Sequence, residues 1–265
     1  MPLPPLDTRG LGPLTRLRAL IIDRQVAARN RRAEAALEAI PQVAEAIREY
    51  STKSDVTGAS MSDYLTLYEE VRAKKPREIL EFGTGFSTVV LAHAALANAT
   101  EGAPLARITS MEEDAEWTRK AKECLPADVT HIVDIVHSPK IDGAYKIFRG
   151  VQYETIPERP YDFVFSDGPQ RTSPVTGDNL FDLDLIQIVR QSATPINAVV
   201  DDHFLTFYVL QKVFGTKLAR YSATHRLMFV GPVTKSDVRH FKKVNFVRDF
   251  RFFGRTEFRI RMATD

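Results

Sequence analysis

Apolar residues recur at three- and four-residue steps from Leu14 to about Tyr50: Leu17, Leu20 and Ile21, then Ala36, Leu37, Ile40 and Ile47. That spacing predicts amphipathic helix, and Pro41 divides it in two. Ser60, with Asp63 three residues on, predicts a capping box, and Tyr64, Leu65, Leu67, Tyr68 and Val71 give the helix it opens an apolar face. Beyond Pro76 the pattern changes. Short apolar runs alternate with helical stretches: REILEF then STVVLAHAALANA, ARITSME then DAEWTRKAKECL, VTHIVDIVHS, YDFVFSD then NLFDLDLIQIVRQS, INAVVDD then FLTFYVLQKVF. Two last strands, HRLMFVGP and EFRIRMA, flank a charged segment. Strands alternating with helices predict an α/β fold, a mainly parallel sheet with helices on both faces. The stretch from Asp167 to Asn179 is rich in Gly, Pro, Ser and Thr and reads as a functional or mobile loop.

Composition narrows this picture modestly. A chain of 265 residues, 44% hydrophobic, fits one large domain or a domain with an appendage. We divide it at residue 60, with a helical extension before and the α/β domain after. The single cysteine, Cys124, excludes an internal disulfide and a thiolate metal cluster, which suits a reducing cytoplasm. No apolar run reaches membrane length, so no membrane partner is expected. A net charge of +2 neither demands nor excludes nucleic acid. The tail HFKKVNFVRDFRFFGRTEFRIR mixes basic and aromatic residues, but its apolar positions alternate as strands do, and a nucleic-acid role is not expected. The first helix is basic, with Arg16, Arg18, Arg24, Arg29, Arg31 and Arg32. A surface-binding helix or a lid competes there with a packing appendage or homodimer contact, and we prefer the latter pair.

Candidate chemistry begins at Ile79. In ILEFGTGFSTVVLA a strand, a tight glycine turn and a helix follow one another. Gly83 and Gly85 leave the backbone bare for a ligand, beside the free N–H groups of a helix start. A dinucleotide fingerprint needs a third glycine at position 88, where Thr88 stands. Glu112 ends the second strand, where an acid accepts hydrogen bonds from ribose hydroxyls. Glu81 is placed to meet a positively charged amino acid moiety. Ribose at one end and ammonium at the other describe S-adenosylmethionine.

At these residues the sequence resembles the class I S-adenosylmethionine-dependent methyltransferases, from about Ser62 onward. ILEFGTGFST is similar to the first motif, SMEEDAEW to the ribose-binding acidic motif, YDFVFSDGPQ to the fourth and NAVVDDHF to the fifth. The SDGP and VDD pair resembles the small-molecule O-methyltransferase-like branch. The resemblance implies a Rossmann-like, doubly wound, seven-stranded sheet with an antiparallel last strand. It implies cofactor contacts at Glu81, Gly83, Thr84, Gly85, Ser87, Glu112, Ser138 and Asp167, with Trp117 against adenine or in the packing. The acceptor it implies is a small molecule, methylated on oxygen.

Catalytic side chains belong at the carboxyl ends of the fourth and fifth strands, where Asp167, Asp201, Asp202 and His203 stand. Two arrangements are open. In one, Asp167, Asp201 and Asp202 bind Mg²⁺ or a similar hard cation, which orients a substrate hydroxyl. In the other no metal binds, Asp167 contacts cofactor or acceptor, and His203 is a general base near neutral pH. Asp202 has a second reading, as N-cap of the helix after it. A nicotinamide-dependent oxidoreductase and a non-catalytic cofactor-binding protein are the alternatives to methyl transfer.

Overall fold

A computed structural model describes residues 9–10, 12–53, 60–146, 148–201 and 203–238. Helices α1 (Pro13–Glu38), α2 (Pro41–Lys53) and α3 (Met61–Lys74) precede the first strand. The break at Pro41 and the capping box at Ser60 fall where the sequence places them. The Ser60 N–H donates to Asp63 Oδ2 at 2.8 Å. Then follow β1 (Glu78–Phe82), α4 (Phe86–Thr100), β2 (Arg107–Glu112), α5 (Ala115–Cys124), β3 (Val133–His137), β4 (Lys140–Tyr145), β5 (Phe148–Tyr153) and β6 (Phe163–Ser166). The described chain closes with β7 (Phe181–Asp182), α6 (Asp184–Gln191), β8 (Ile196–Val200), α7 (Phe204–Phe214), β9 (Ala219–Ser222) and β10 (Leu227–Val233).

The main sheet has seven strands in the order β3-β2-β1-β6-β8-β10-β9. Strands β1, β2, β3, β6 and β8 are parallel, and β10 runs antiparallel to both its neighbours. This is the Rossmann-like doubly wound sheet with an antiparallel late strand. Central strands in such sheets are covered on both faces and so are apolar throughout. Accordingly Ile79, Leu80, Phe82, Phe163, Val164 and Phe165 are fully buried. The winding reverses between β1 and β6, so the loops after these two strands diverge and leave a crevice at their carboxyl ends.

Three features depart from the sequence reading. The β4–β5 hairpin was not anticipated; with β7 it makes a separate three-stranded sheet. Its alternation is interrupted at Gly150, where a Cβ would lie 2.9 Å from Phe181. NLFDLDLIQIVRQS is not helical throughout: Phe181–Asp182 pairs with β5, and the helix begins at Asp184. Strand β9 also went unread, and it pairs with β10. EFRIRMA and the rest of the basic-aromatic tail lie outside the described residues.

The N-terminal helices pack against one another and on the start of α4. Asn30 Oδ1 accepts the Ser62 N–H at 3.1 Å, tying α1 to α3. Tyr50 of α2 and Tyr64 of α3 pack on Phe86, the first residue of α4, with centroids 4.7 and 6.1 Å apart. Among the described residues no helix is long and apolar enough to cross a membrane.

Candidate cofactor and acceptor site

The turn between β1 and α4 is held from several sides. Gly83 has φ +88°, a conformation L side chains rarely adopt. A Cβ there would lie 3.3 Å from the main chain of Asp167 and Gly168. Its N–H donates to Met111 O at 3.0 Å and to the Tyr153 hydroxyl at 3.1 Å. Gly85 differs: its φ is 173°, ordinary extended backbone, and a Cβ there would meet nothing within 4 Å. Thus Gly83 is required by the fold, and Gly85 is not.

Thr88 explains the missing third glycine. Its hydroxyl accepts from the Gly85 N–H at 3.1 Å and donates to Glu81 Oε2 at 2.5 Å. Ser110 donates to the same oxygen at 2.6 Å. The hydroxyl of Ser87, a predicted cofactor contact, adds a third pull on this carboxyl. Glu81 is fully buried, and its Oε1 has no partner among the described residues. Burial pushes its pKa up to about 7, against the pull of the three hydroxyls and with a smaller push from Glu112.

Glu112 ends β2 on the wall of a cleft of about 690 Å³. Its Oε1 accepts the Asp114 N–H at 3.0 Å. Burial raises its pKa, while backbone N–H groups of Asp114, Glu113 and Thr84 pull it down. Gly83, Asp167 and Trp117 line the same cleft. Trp117 is 37% exposed, so it is a cleft residue and not core. Asp114 caps α5 by accepting the Trp117 N–H at 2.8 Å.

The far wall was not legible in the sequence. Tyr153, Lys140 and Gln170 line it. Glu113, which reads as one more acid at a helix start, instead clasps that wall. It accepts from Lys140 Nζ at 3.1 Å and from the Gln170 N–H at 2.7 Å. Tyr153 is delivered by the unanticipated hairpin, and its hydroxyl donates to Met111 O at 3.2 Å. Ser138, a predicted cofactor contact, is buried off the cleft wall and accepts the Thr155 N–H at 2.9 Å. The loop from Asp167 to Asn179 is strapped down. Ser173 Oγ donates to Asp142 at 2.8 Å and accepts the Thr176 N–H at 2.9 Å.

Asp167 and Asp201 follow the paired ends of β6 and β8, where Ser166 sits opposite Val200. Burial, then repulsion and a hydrogen bond from Asp201, hold the Asp167 pKa well above the usual carboxylate range. Asp63, whose Oδ2 accepts from Ser60, has its pKa pushed up to about 6 mainly by burial, with Asp201 adding to it. Among the described residues no three His, Cys, Asp or Glu side chains are grouped to hold a metal ion. Asp202 lies outside the described residues.

His203 corrects two expectations. It, and not Asp202, is the N-cap of α7: Nδ1 accepts the Thr206 N–H at 3.3 Å and meets Thr206 Oγ1 at 2.9 Å. Burial, helped by the Arg171 charge, lowers its pKa to about 4, so it does not titrate near neutral pH. With Nδ1 accepting, its proton sits on Nε2, which suits a cap and not a general base.

No protein-family model matches the chain, and no curated protein matches it in sequence. Solved structures are similar to it at low identity. With the methyltransferase PaMTH1 of Podospora anserina, bound to S-adenosylhomocysteine, the identity is 16% and the TM-score 0.43, over 65% of this chain and 64% of that one. The chain therefore spans a little under two thirds of PaMTH1. With the O-methyltransferase TomG of Streptomyces achromogenes, in complex with S-adenosylmethionine, they are 22% and 0.40, over 70% and 73%. With the O-methyltransferase of Bacillus cereus, in complex with S-adenosylhomocysteine, they are 16% and 0.41, over 64% and 70%. The fold itself stands on the strand order and pairing above.

Proposed function

We propose that the protein is an S-adenosylmethionine-dependent methyltransferase that methylates an oxygen of a small-molecule acceptor. The carrying observation is the β1–α4 turn at the switch point, which shares its cleft with Glu112. The residues fit the cofactor by two tests. Gly85 leaves open space where a side chain would stand, although its backbone does not require glycine. Glu81 keeps one buried oxygen without a donor, which an ammonium group would supply. Two observations weigh against a nicotinamide dinucleotide: Thr88 occupies the third glycine position, and an antiparallel β10 enters the sheet beside β8.

When bound, the cofactor supplies a methyl group on a sulfonium sulfur. The chain's own residues hold and orient. Glu112 accepts from ribose hydroxyls, and Trp117 offers an aromatic face for the purine. At the acceptor end burial, with the Asp201 carboxyl adding repulsion, raises the Asp167 pKa well above the usual carboxylate range. The raised pKa suits Asp167 to take the proton of a substrate hydroxyl, and His203 holds the start of α7 in place.

Calorimetric titration with S-adenosylhomocysteine, with NADH in parallel, tests the reading. Binding of the first and not the second is the expected result. No heat with S-adenosylhomocysteine at millimolar concentration overturns it.

A further inference from the structure

Two buried acids stand where β7 runs into α6. Asp182, in β7, is 2% exposed, and Asp184, the first residue of α6, is 1% exposed. Asp182 Oδ1 accepts the Asp184 N–H at 2.9 Å, and its Oδ2 accepts from the Ser166 hydroxyl at the end of β6. The Asp182 N–H donates to Thr206 Oγ1 at 3.1 Å, in the first turn of α7. Asp184 serves a different strand. Its two oxygens accept the Tyr153 N–H, the last of β5, at 3.2 and 3.1 Å. Tyr153 in turn lines the cleft, stacks on Phe82 and supports the Gly83 N–H with its hydroxyl at 3.1 Å. Two hydrogen bonds thus lead from the Asp184 carboxylate to the glycine turn.

An acid in the first turn of a helix has an ordinary explanation, since the macrodipole favours it. That explanation suits an exposed acid. Asp184 is buried, at a cost that an apolar residue of similar size avoids. Asp182 already takes up the Asp184 N–H, so the Asp184 carboxyl is not needed for that orphan donor of the helix start. Among the described residues, the hydrogen bonds that the carboxyl itself accepts come from Tyr153.

We propose that Asp184 is a positioning residue of the cofactor site: by holding the end of β5 it sets the Tyr153 hydroxyl against the Gly83 N–H and keeps the turn in its binding form. The inference rests on the methyltransferase reading for the ligand, but the positioning of the turn is measurable without it. S-adenosylhomocysteine is titrated calorimetrically into wild type, Asp184→Leu, Asp184→Asn, Tyr153→Phe, the double variant Asp184→Leu with Tyr153→Phe, and Val189→Ala. Val189 is fully buried in the same helix, so its truncation is a packing lesion only. Hydrogen exchange of residues 80–86 is followed by mass spectrometry in the same proteins without ligand.

Asp184→Leu and Tyr153→Phe are each expected to weaken S-adenosylhomocysteine by about tenfold, and the double variant by no more than the worse of the two, because both cut one connection. Asp184→Asn keeps an acceptor oxygen and is expected to stay within about threefold of wild type. Val189→Ala is expected to lose stability and keep its affinity. Exchange of residues 80–86 is expected to quicken by about tenfold in Asp184→Leu and Tyr153→Phe and to stay unchanged in Val189→Ala. The proposal is overturned if Asp184→Leu binds as wild type does, if the two losses multiply in the double variant, if Asp184→Asn loses as much as Asp184→Leu, or if Val189→Ala loses as much. Failure of S-adenosylhomocysteine to bind wild type sinks the methyltransferase reading instead, and the exchange of residues 80–86 alone then decides the role of Asp184. Should Asp184→Leu fold poorly, Asp184→Ser, too short to reach Tyr153, takes its place with the same expectations.

Discussion

The carboxyl ends of β1 and β2 and those of β6 and β8 are treated oppositely by the same chain. At the first pair, the buried acids are tied down by neutral donors: Thr88 and Ser110 hold Glu81, and a backbone N–H holds Glu112. At the second pair, Asp167 follows β6 and Asp201 follows β8, and burial with repulsion from Asp201 raises the Asp167 pKa. The first arrangement fixes one geometry. The second keeps charge and protons available. A ligand that is always the same suits the former, and chemistry with an exchangeable proton suits the latter.

The contrast is broken most severely at Gly83. Gly83→Val forces a left-handed backbone and presses a side chain on Asp167 and Gly168, and is expected to cost about 3 kcal/mol of stability in urea unfolding and to abolish S-adenosylhomocysteine binding. Stability equal to wild type would contradict the required turn. Glu112→Ala is expected to weaken S-adenosylhomocysteine by about tenfold to a hundredfold in calorimetry, from loss of a charged acceptor worth about 1.5–3 kcal/mol. An unchanged affinity removes Glu112 from the ribose.

Glu81→Gln sharpens the comparison through pH. The Glu81 pKa is raised from 4.5 to about 7 on folding. Protonation is thus favoured in the native state, and the stabilisation, full below about pH 4.5, is lost as pH rises through about 7. The loss is of order 3 kcal/mol at most. Urea midpoints measured across pH 4.5–7 are expected to carry this fall in wild type and lack it in the variant. Parallel curves would show that Glu81 does not titrate there.

Gly85→Ala should leave unfolding within about 1 kcal/mol of wild type while weakening S-adenosylhomocysteine. A loss of stability matching that of Gly83→Val would erase the distinction between the two glycines. The smallest effect belongs to His203→Ala, about 1 kcal/mol from the lost cap. With its pKa lowered from 6.5 to about 4, the His203 contribution is present above about pH 6.5 and disappears as pH falls through about 4. A pH–rate profile of methyl transfer should show no inflection from it near 6.5, and an inflection that vanishes in His203→Ala would restore it as the base.

Much of this was written locally and so could be read. The strands REILEF, ARITSME, YDFVFSD and INAVVDD are continuous apolar runs because both their faces are covered, and their order along the chain fixed the α/β class. Gly83, Glu112 and Asp167 were legible because strand ends announce a site. Side chains whose role depends on distant partners were not. Ser138 reads in the sequence as a cofactor contact, and the Thr155 N–H it accepts 17 residues on leaves no trace there. His203 looks like a base until the helix start uses Nδ1. Glu113 is indistinguishable in sequence from Asp114, yet one clasps a loop and the other caps a helix. Tyr153 gave no signal, because the hairpin carrying it is interrupted by glycine and charge.

Tyr153 carries a consequence for how the protein is made. Its hydroxyl supports the Gly83 N–H across a separation of 70 residues. A nascent chain therefore completes every letter of the glycine motif long before it owns the part that steadies it. Until the hairpin emerges and docks, that turn is an ordinary loop with a long closure still ahead. A fragment ending anywhere before residue 153 would thus carry the motif without its support.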